Sequence, residues 1–216
     1  MNDKTSPDNI VPAEAGENIS FNQELVRKAT HLGALVIPAG YYFLGLERFT
    51  AFLIMLIIGL AMLLIDIARI RNWPIWTNFF SHILGAVIRK HEKDGDFTGA
   101  TYILLTSCAT IALFSKPIAI AALSFIIVGD SFAAVIGRRF GRIRFSNKTL
   151  EGTLGCLAGT VIVAVLAPGI PLSVGLLGAV VATLVEAWPL GVDDNVSVPL
   201  MSGLAMTMVT ILGLFN

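Results

Sequence analysis

The residues best placed to do chemistry in this sequence are acids at the ends of long apolar runs. They are Asp66, Asp130, Glu151, Glu186 and the adjacent pair Asp193–Asp194. A charged side chain at the centre of a bilayer costs about 2.5–3.5 kcal/mol on the insertion scale, so an acid in such a run is a functional candidate. Carboxylates bind hard cations such as Mg²⁺ or accept a proton from a hydroxyl group. The structural alternative is that each acid marks a helix end near water, and we favour it for Asp66.

The segment between Asp130 and Glu151 is rich in cations. Five basic residues occur within eleven positions, namely Arg138, Arg139, Arg142, Arg144 and Lys148. Arg and Lys bind phosphate oxygens, and carboxylates bind the metal ion that accompanies a nucleotide. Cations bracketed by two acids therefore indicate a Mg-nucleotide site. The structural alternative is a basic loop that records only the orientation of the chain in a membrane.

A second group of charges precedes the first apolar run. Glu24, Arg27, Lys28 and His31 repeat at i, i+3, i+4 and i+7, which gathers them on one helical face. Such a face can hold an anion at the membrane interface. The alternative is a solvated face whose charges pair with one another.

A stripe of small residues follows Asp130 at helical spacing, through Ala133, Ala134 and Gly137. Small residues let another backbone or a ligand approach closely. Helix packing explains the stripe, but it does not explain why an acid stands at its head. Gly155 and Gly159 form a G-x-x-x-G pattern that we interpret as helix packing alone.

The composition indicates which kind of structural element positions these charged residues. The chain has 216 residues, of which 55% are hydrophobic and 14% charged, with a formal net charge of zero and a mean hydropathy of +0.78. Ordinary soluble domains carry about 25% charged residues, which argues against a single soluble domain. The absence of a basic excess argues against a nucleic-acid partner. The sequence therefore predicts an all-α polytopic membrane protein.

A membrane-spanning helix needs about 20 mostly apolar residues, and about seven such segments follow one another. They are Ala29–Leu46, Phe49–Ile70, Thr98–Phe114, Pro117–Ile136, Leu150–Ala167, Leu172–Trp188 and Val196–Phe215. Residues 1–20 are predicted to form a disordered tail, and residues 21–216 a single transmembrane catalytic domain. Trp73–Ile88 is predicted to form an interfacial helix, with a further span as the alternative.

The basic residues predict the orientation of the chain. Thirteen of the fifteen Lys and Arg residues fall on the side of the amino terminus and the long loops, and only Arg48 and Lys116 fall on the other. By the positive-inside rule, the amino terminus and all the long loops face the cytoplasm, which predicts an inner-membrane protein. The Asp193–Asp194 pair lies at a corner on this face. It can serve as metal ligands or as a base, or it can form a turn with an Asx cap.

These motifs together resemble a family. They are Glu24-x-x-Arg27-Lys28-x-x-His31, Thr98-Gly99-Ala100-Thr101-Tyr102, Asp130-x-x-Ala133-x-x-x-Gly137-x-x-x-Gly141, Lys148-Thr149-x-Glu151-Gly152-Thr153, and Glu186 with Asp193-Asp194-Asn195. In this order they are similar to the CTP-dependent lipid kinases, which include dolichol kinase, phytol kinase and the CTP-using diacylglycerol kinase. The resemblance covers nearly the whole chain from Glu24 onward, and the segment from Asp130 to Thr153 is its most specific part.

The resemblance implies an enzyme that transfers the γ-phosphate of CTP to the hydroxyl group of a membrane lipid at the cytoplasmic face. We expect the nucleotide to be bound by Arg27, Lys28, Gly137, Arg138, Arg139 and Lys148. The expected catalytic residues are Asp130, Glu151 and Asp194, and the expected Mg²⁺ ligands are Asp130, Asp193 and Asp194. The acceptor stays open among phytol, other prenols, polyprenols and diacylglycerol. The alternatives are CMP transfer to a lipid phosphate, as in phosphatidate cytidylyltransferase, and a transporter.

Overall fold

The computed structural model describes residues 31–81, 95–145, 148–188 and 191–214. These residues are mostly helical, which confirms the predicted all-α class. The helices are α1 (Val36–Phe43), α2 (Arg48–Ile70), α3 (Gly99–Leu113), α4 (Lys116–Phe140), α5 (Leu150–Leu166), α6 (Leu172–Ala187) and α7 (Asp194–Leu212), with a π-helical turn at Trp76–Phe80. Two short strands, β1 (Arg144–Phe145) and β2 (Lys148–Thr149), pair in antiparallel register between α4 and α5.

The helices agree with a membrane protein. Among the described residues, α2, α4 and α7 are long and apolar enough to cross a membrane, and α3, α5 and α6 are shorter apolar helices. The count of seven spans and the cytoplasmic amino terminus stay predictions. Glu24, Arg27, Lys28 and the tail at residues 1–20 lie outside the described residues, as do residues 82–88 of the predicted interfacial helix.

The first predicted span is interrupted in the structure. Ala34 and Leu35 form a turn, and the helix starts again at Val36. This places Pro38 in the first turn of α1, where its missing N–H costs no helical hydrogen bond. The eight residues of α1 are too few to cross the hydrocarbon alone, because a span needs about 20.

Helix α4 lies at the centre of the bundle. Its residues from Ile118 to Ile127 are almost all buried, with Leu123 and Phe125 completely so. It packs against α1, α3, α5, α6 and α7. The outer helices keep large apolar side chains exposed, among them Ile57 and Leu64 on α2. An apolar core surrounded by an apolar outer surface fits a lipid environment.

The small-residue stripe packs α4 against α5. A Cβ added at Gly137 would lie 2.9 Å from Thr149 Oγ1 and 3.3 Å from Gly152 Cα, and one at Gly155 would lie 2.9 Å from Ile136. The helix-packing interpretation therefore holds for the stripe and for the G-x-x-x-G pattern. Gly137 faces α5 in this packing, so its expected contact with a nucleotide stays a prediction.

Two basic residues donate to main-chain carbonyls at the end of the bundle away from the long loops. Arg48 donates to the carbonyls of Ile111, at 3.0 Å, and Ala112 at the end of α3. Lys116 donates to the Leu46 carbonyl at 2.9 Å and lies 4.7 Å from the centre of the Tyr41 ring. Arg48 thereby satisfies unpaired carbonyls at the carboxyl end of α3, where a cation also interacts favourably with the helix dipole. These two residues are the ones that the sequence assigns to the opposite side of the membrane.

The helices that begin at the other end start with side-chain caps. Thr98 accepts a hydrogen bond from the Thr101 amide, Thr149 from the Gly152 amide, and Asp193 from the Asn195 amide. A side-chain cap of this type contributes about 1 kcal/mol. It also fixes the position at which each helix begins, and these starting points hold the polar clusters described next.

Candidate active site

The centre of the candidate site is a lysine between two carboxylates. Lys148 Nζ donates to Glu186 Oε1 at 3.0 Å and to Asp194 Oδ2 at 3.1 Å, and it also donates to the main-chain carbonyl of Glu186. We call these three residues the Lys148 cluster. It joins the β1–β2 hairpin to the end of α6 and the start of α7. Residues that are up to 46 positions apart in the chain therefore meet at one end of the bundle.

The two carboxylates keep Lys148 charged. Burial alone lowers the pKa of Lys148, but the charges and hydrogen bonds of Glu186 and Asp194 outweigh burial and raise this pKa above its usual 10.5. The ammonium group is therefore a permanent cation at neutral pH. Its side chain is 28% exposed, so a ligand can reach it.

One carboxylate oxygen of Glu186 accepts a hydrogen bond, and the other has no partner among the described residues. The residue is only 5% exposed, and Oε1 accepts from Lys148. Oε2 is buried and has no hydrogen-bond partner within the described part of the chain. A buried unsatisfied acceptor costs about 1–3 kcal/mol and more when charged, so it requires an explanation. The sequence marks Glu186 as a candidate acid but gives it no role, because its partner is not apparent from spacing.

Asp130 pairs with the histidine of the amino-terminal motif. His31 Nε2 lies 3.5 Å from Asp130 Oδ2, and both side chains are partly exposed. Asp130 is also close enough to Glu186 and Asp194 to affect both electrostatically. Two motifs that are about a hundred positions apart in sequence therefore meet beside the Lys148 cluster. Arg27 and Lys28, which precede His31, lie outside the described residues.

The basic loop is exposed, and Glu151 holds its backbone. The side chains of Arg138 and Arg139, in the last turn of α4, and of Arg142 and Arg144, in the loop after it, are all exposed. Both carboxylate oxygens of Glu151 lie 3.3 Å from the Ile143 amide, which donates to them. The observed contacts of Glu151 are thus structural, and the catalytic role expected for it stays a prediction.

The two adjacent aspartates have different partners. Asp193 Oδ1 accepts from the Asn195 amide at 2.8 Å and caps α7, which is the Asx arrangement that the sequence offers as its alternative. Asp194 instead points to Lys148. The adjacent pair therefore does not act as one unit: Asp193 starts a helix, and Asp194 belongs to the Lys148 cluster.

A second acid–base pair lies nearby, between the end of α2 and the start of α3. Asp66 Oδ2 accepts from the Thr98 amide at 2.8 Å, the Thr98 hydroxyl at 2.9 Å and the Thr101 hydroxyl at 2.7 Å, and Oδ1 accepts from Arg69 Nε at 3.1 Å. Arg69 donates further to the Asp96 carbonyl at 2.5 Å. We call Asp66, Arg69, Thr98 and Thr101 the Asp66 node. Its contacts support the structural interpretation of Asp66.

Sequence comparison identifies named relatives of this chain. The chain is 27% identical over 214 residues to CTP-dependent diacylglycerol kinase 1 of Saccharomyces cerevisiae, covering 86% of this chain and 73% of that protein. It is 30% identical over 141 residues to probable phytol kinase 1, chloroplastic, of Glycine max, covering 53% and 46%. An uncharacterized protein of Rickettsia prowazekii is 26% identical over 197 residues, covering 87% and 95%. The resemblance to CTP-dependent lipid kinases is confirmed. Neither a protein-family model nor a solved structure matches the chain.

As a relative of CTP-dependent lipid kinases, the chain concentrates its expected site residues at one end of the bundle. Asp130, Lys148 and Asp194 lie together there, with Glu186 as the addition that the structure makes. No group of three or more His, Cys, Asp or Glu side chains in the described ranges is arranged to hold a metal ion. The Mg²⁺ site expected at Asp130, Asp193 and Asp194 therefore stays a prediction.

Proposed function

We propose that this chain is a CTP-dependent kinase that phosphorylates the hydroxyl group of a membrane lipid alcohol at the cytoplasmic face of the inner membrane. The observation that carries the proposal is the Lys148 cluster beside Asp130, in a chain similar to a CTP-dependent diacylglycerol kinase over 86% of its length. The exposed arginines of the neighbouring loop add positive charge on the same side.

The basic residues suit a triphosphate. Phosphoryl transfer needs mainly positioning and neutralisation of charge on the phosphate oxygens. Lys148 supplies a permanent cation, and Arg138 and Arg139 supply exposed guanidinium groups within ten residues of it. In the proposal these groups, with Arg27, Lys28 and the backbone near Gly137, bind the nucleotide. Glu151 holds the loop that follows these two arginines.

The acids fit a magnesium ion bound together with the nucleotide. Mg²⁺ is commonly held by one or two carboxylates plus substrate phosphates, and it keeps several waters. Asp194 within the cluster and Asp130 beside it supply such oxygen donors, whereas Asp193 is used as the helix cap. When bound, the ion would neutralise charge on the β- and γ-phosphates. The side chains themselves position the acceptor and hold the ammonium of Lys148.

In the proposal, the nucleotide and the lipid alcohol meet at the membrane interface. The cluster and the loop are at the ends of the helices, and a lipid alcohol presents its hydroxyl group at the membrane interface while its tail stays in the hydrocarbon. The relatives are named for diacylglycerol, phytol, farnesol and dolichol. The proposed acceptor class is therefore an alcohol on a long apolar tail, with a prenol, a polyprenol or diacylglycerol as members.

The test is turnover by the purified protein with CTP labelled at the α- or the γ-phosphate, Mg²⁺ and a panel of acceptors. The panel contains phytol, farnesol, a polyprenol, diacylglycerol and phosphatidate. Transfer of γ-label to an alcohol with release of CDP supports the proposal. Release of pyrophosphate with α-label in the lipid identifies CMP transfer instead, and absence of turnover with every acceptor contradicts both. The Lys148→Met variant serves as the inactive control.

A further inference from the structure

The free oxygen of Glu186 is a buried carboxylate oxygen that the contacts of the candidate site leave without a hydrogen-bond partner among the described residues. Its neighbour on the same carboxylate, Oε1, is held by Lys148 at 3.0 Å, which fixes the orientation of the group. Oε2 is buried and unpartnered among the described residues, in a side chain that is only 7% exposed. A buried acceptor without a donor needs an explanation, and a catalytic role or a donor supplied by a ligand, a water or an ion can provide it.

The polar groups deeper in the same interface do not share this property. One turn before Glu186 on α6, the Thr183 hydroxyl donates to the Ala179 carbonyl at 2.8 Å. It also lies 3.2 Å from the hydroxyl of Thr160 on α5, which in turn bonds to the Cys156 carbonyl. The interface between α5 and α6 is thus satisfied in its interior. The unpaired carboxylate oxygen occurs at the end of α6, next to the cation proposed to bind phosphate.

The other acids of the site have less suitable surroundings. Asp130 is paired with His31, and its side chain is 30% exposed. Asp194 uses Oδ2 for Lys148 and is 43% exposed. Water can reach both carboxylates, and water competes with a lipid alcohol as the phosphate acceptor. Glu186 is shielded from bulk water, which favours transfer to an alcohol over hydrolysis of the nucleotide.

We infer that Glu186 Oε2 binds the hydroxyl group of the lipid acceptor and takes its proton during phosphate transfer. This inference rests on the proposed function and deepens it by assigning the acceptor subsite and the catalytic base. The O–H bond of the alcohol breaks, and its proton moves to Oε2. The alcohol oxygen forms a bond to the γ-phosphorus, while the bond from that phosphorus to the β–γ bridging oxygen breaks. CDP leaves with the electron pair of that bond.

Glu186→Gln tests the inference with minimal change in shape. The amide oxygen can still accept from Lys148, but the NH₂ group that replaces Oε2 is a donor and cannot take a proton. A positioned base contributes about 10²–10⁴-fold to a rate. We expect kcat with the best acceptor of the panel to fall by about 10²-fold or more, while the KM for CTP and the binding of labelled CTP stay within about threefold of wild type.

Glu186→Asp provides a second test that keeps the negative charge. It withdraws the carboxylate by one methylene and is expected to reduce kcat by about tenfold or more with unchanged CTP binding, because proton transfer needs hydrogen-bond contact. Glu47→Gln, at an exposed acid near the start of α2, is the matched control and should leave kcat unchanged. Thermal unfolding in detergent monitors the fold of each variant.

Three outcomes overturn the inference. The first is a folded Glu186→Gln protein with kcat within threefold of wild type. The second is a raised KM for CTP at unchanged kcat in both variants, which would limit Glu186 to holding Lys148. In these two cases the lipid-kinase activity of the wild type still stands. The third is a wild type without any lipid-kinase turnover, which removes the proposed function and the inference with it.

Discussion

The Asp66 node and the Lys148 cluster contain the same types of residue but differ in how completely their carboxylates are hydrogen-bonded. We use this difference to distinguish a structural region from a functional one. Each combines a buried acid with a basic residue at helix ends on the side of the long loops. Asp66 is 1% exposed, and its two oxygens accept four hydrogen bonds. Glu186 is nearly as buried, yet one of its oxygens has no partner among the described residues. Burial of an acid is common to both regions, and only the unsatisfied oxygen distinguishes the candidate site.

The difference has an energetic origin. A buried acid–base pair is tolerated when hydrogen bonds satisfy the remaining lone pairs, and removing one partner then costs about 3–5 kcal/mol. The Asp66 node meets this condition through Thr98 and Thr101. The same hydrogen bonds hold these two residues at the start of α3. The Lys148 cluster does not meet it. An unsatisfied acceptor lowers stability unless a ligand completes it.

The largest expected effect is the loss of turnover in Asp130→Asn, a substitution beside the Lys148 cluster. The substitution keeps the shape but removes the carboxylate charge beside the Lys148 cluster, so turnover should fall by about 10³-fold, or about 4 kcal/mol in activation free energy. The measurement is CTP-dependent phosphorylation of the best acceptor, with thermal unfolding as a check on the fold. Activity within threefold of wild type would reduce Asp130 to a structural partner of His31.

Asp66→Asn is expected to act on stability and not on chemistry. The variant leaves the buried Arg69 cation without its carboxylate and replaces an acceptor with a donor facing Thr98 and Thr101. The free energy of unfolding should decrease by about 3 kcal/mol, seen as a lower unfolding midpoint in detergent. The activity of each folded molecule should remain. Loss of turnover at an unchanged midpoint would place Asp66 in the site and remove the distinction between the two regions.

The smallest expected effect is the pH dependence of the stability that the Lys148 ammonium contributes. Because Glu186 and Asp194 raise the pKa of Lys148 above 10.5, the stability that this ammonium contributes is complete below about pH 10.5. It is lost as the pH rises through the higher value in the folded state. The difference in unfolding midpoint between wild type and Lys148→Met should therefore stay constant from about pH 7 to 9.5 and shrink above 10.5. A midpoint difference for Lys148→Met that stays constant above pH 10.5 would contradict this electrostatic account.

The sequence determined most of the helices because long apolar runs separated by polar or Pro and Gly segments permit little else in a membrane. The predicted spans Leu150–Ala167 and Leu172–Trp188 correspond to α5 at Leu150–Leu166 and α6 at Leu172–Ala187. The first predicted span was the weakest match, since a turn at Ala34 and Leu35 interrupts it ahead of Pro38. Hydropathy does not register such a turn.

The pairing of side chains was decided by the tertiary structure alone. Spacing treats Asp193 and Asp194 as one unit, but the start of α7 between them turns the first into a cap and the second toward Lys148. Spacing likewise leaves Glu186 without a role, because its partner is 38 positions away on a hairpin. The sequence by itself determined which charged residues share one end of the bundle, since helix length and hydropathy set their depth. Only the packing of the helices decided which of these residues are satisfied and which oxygen is left free. A hydrogen bond between residues distant in the chain forms only when packing sets the distance between its two atoms to within a few tenths of an ångström.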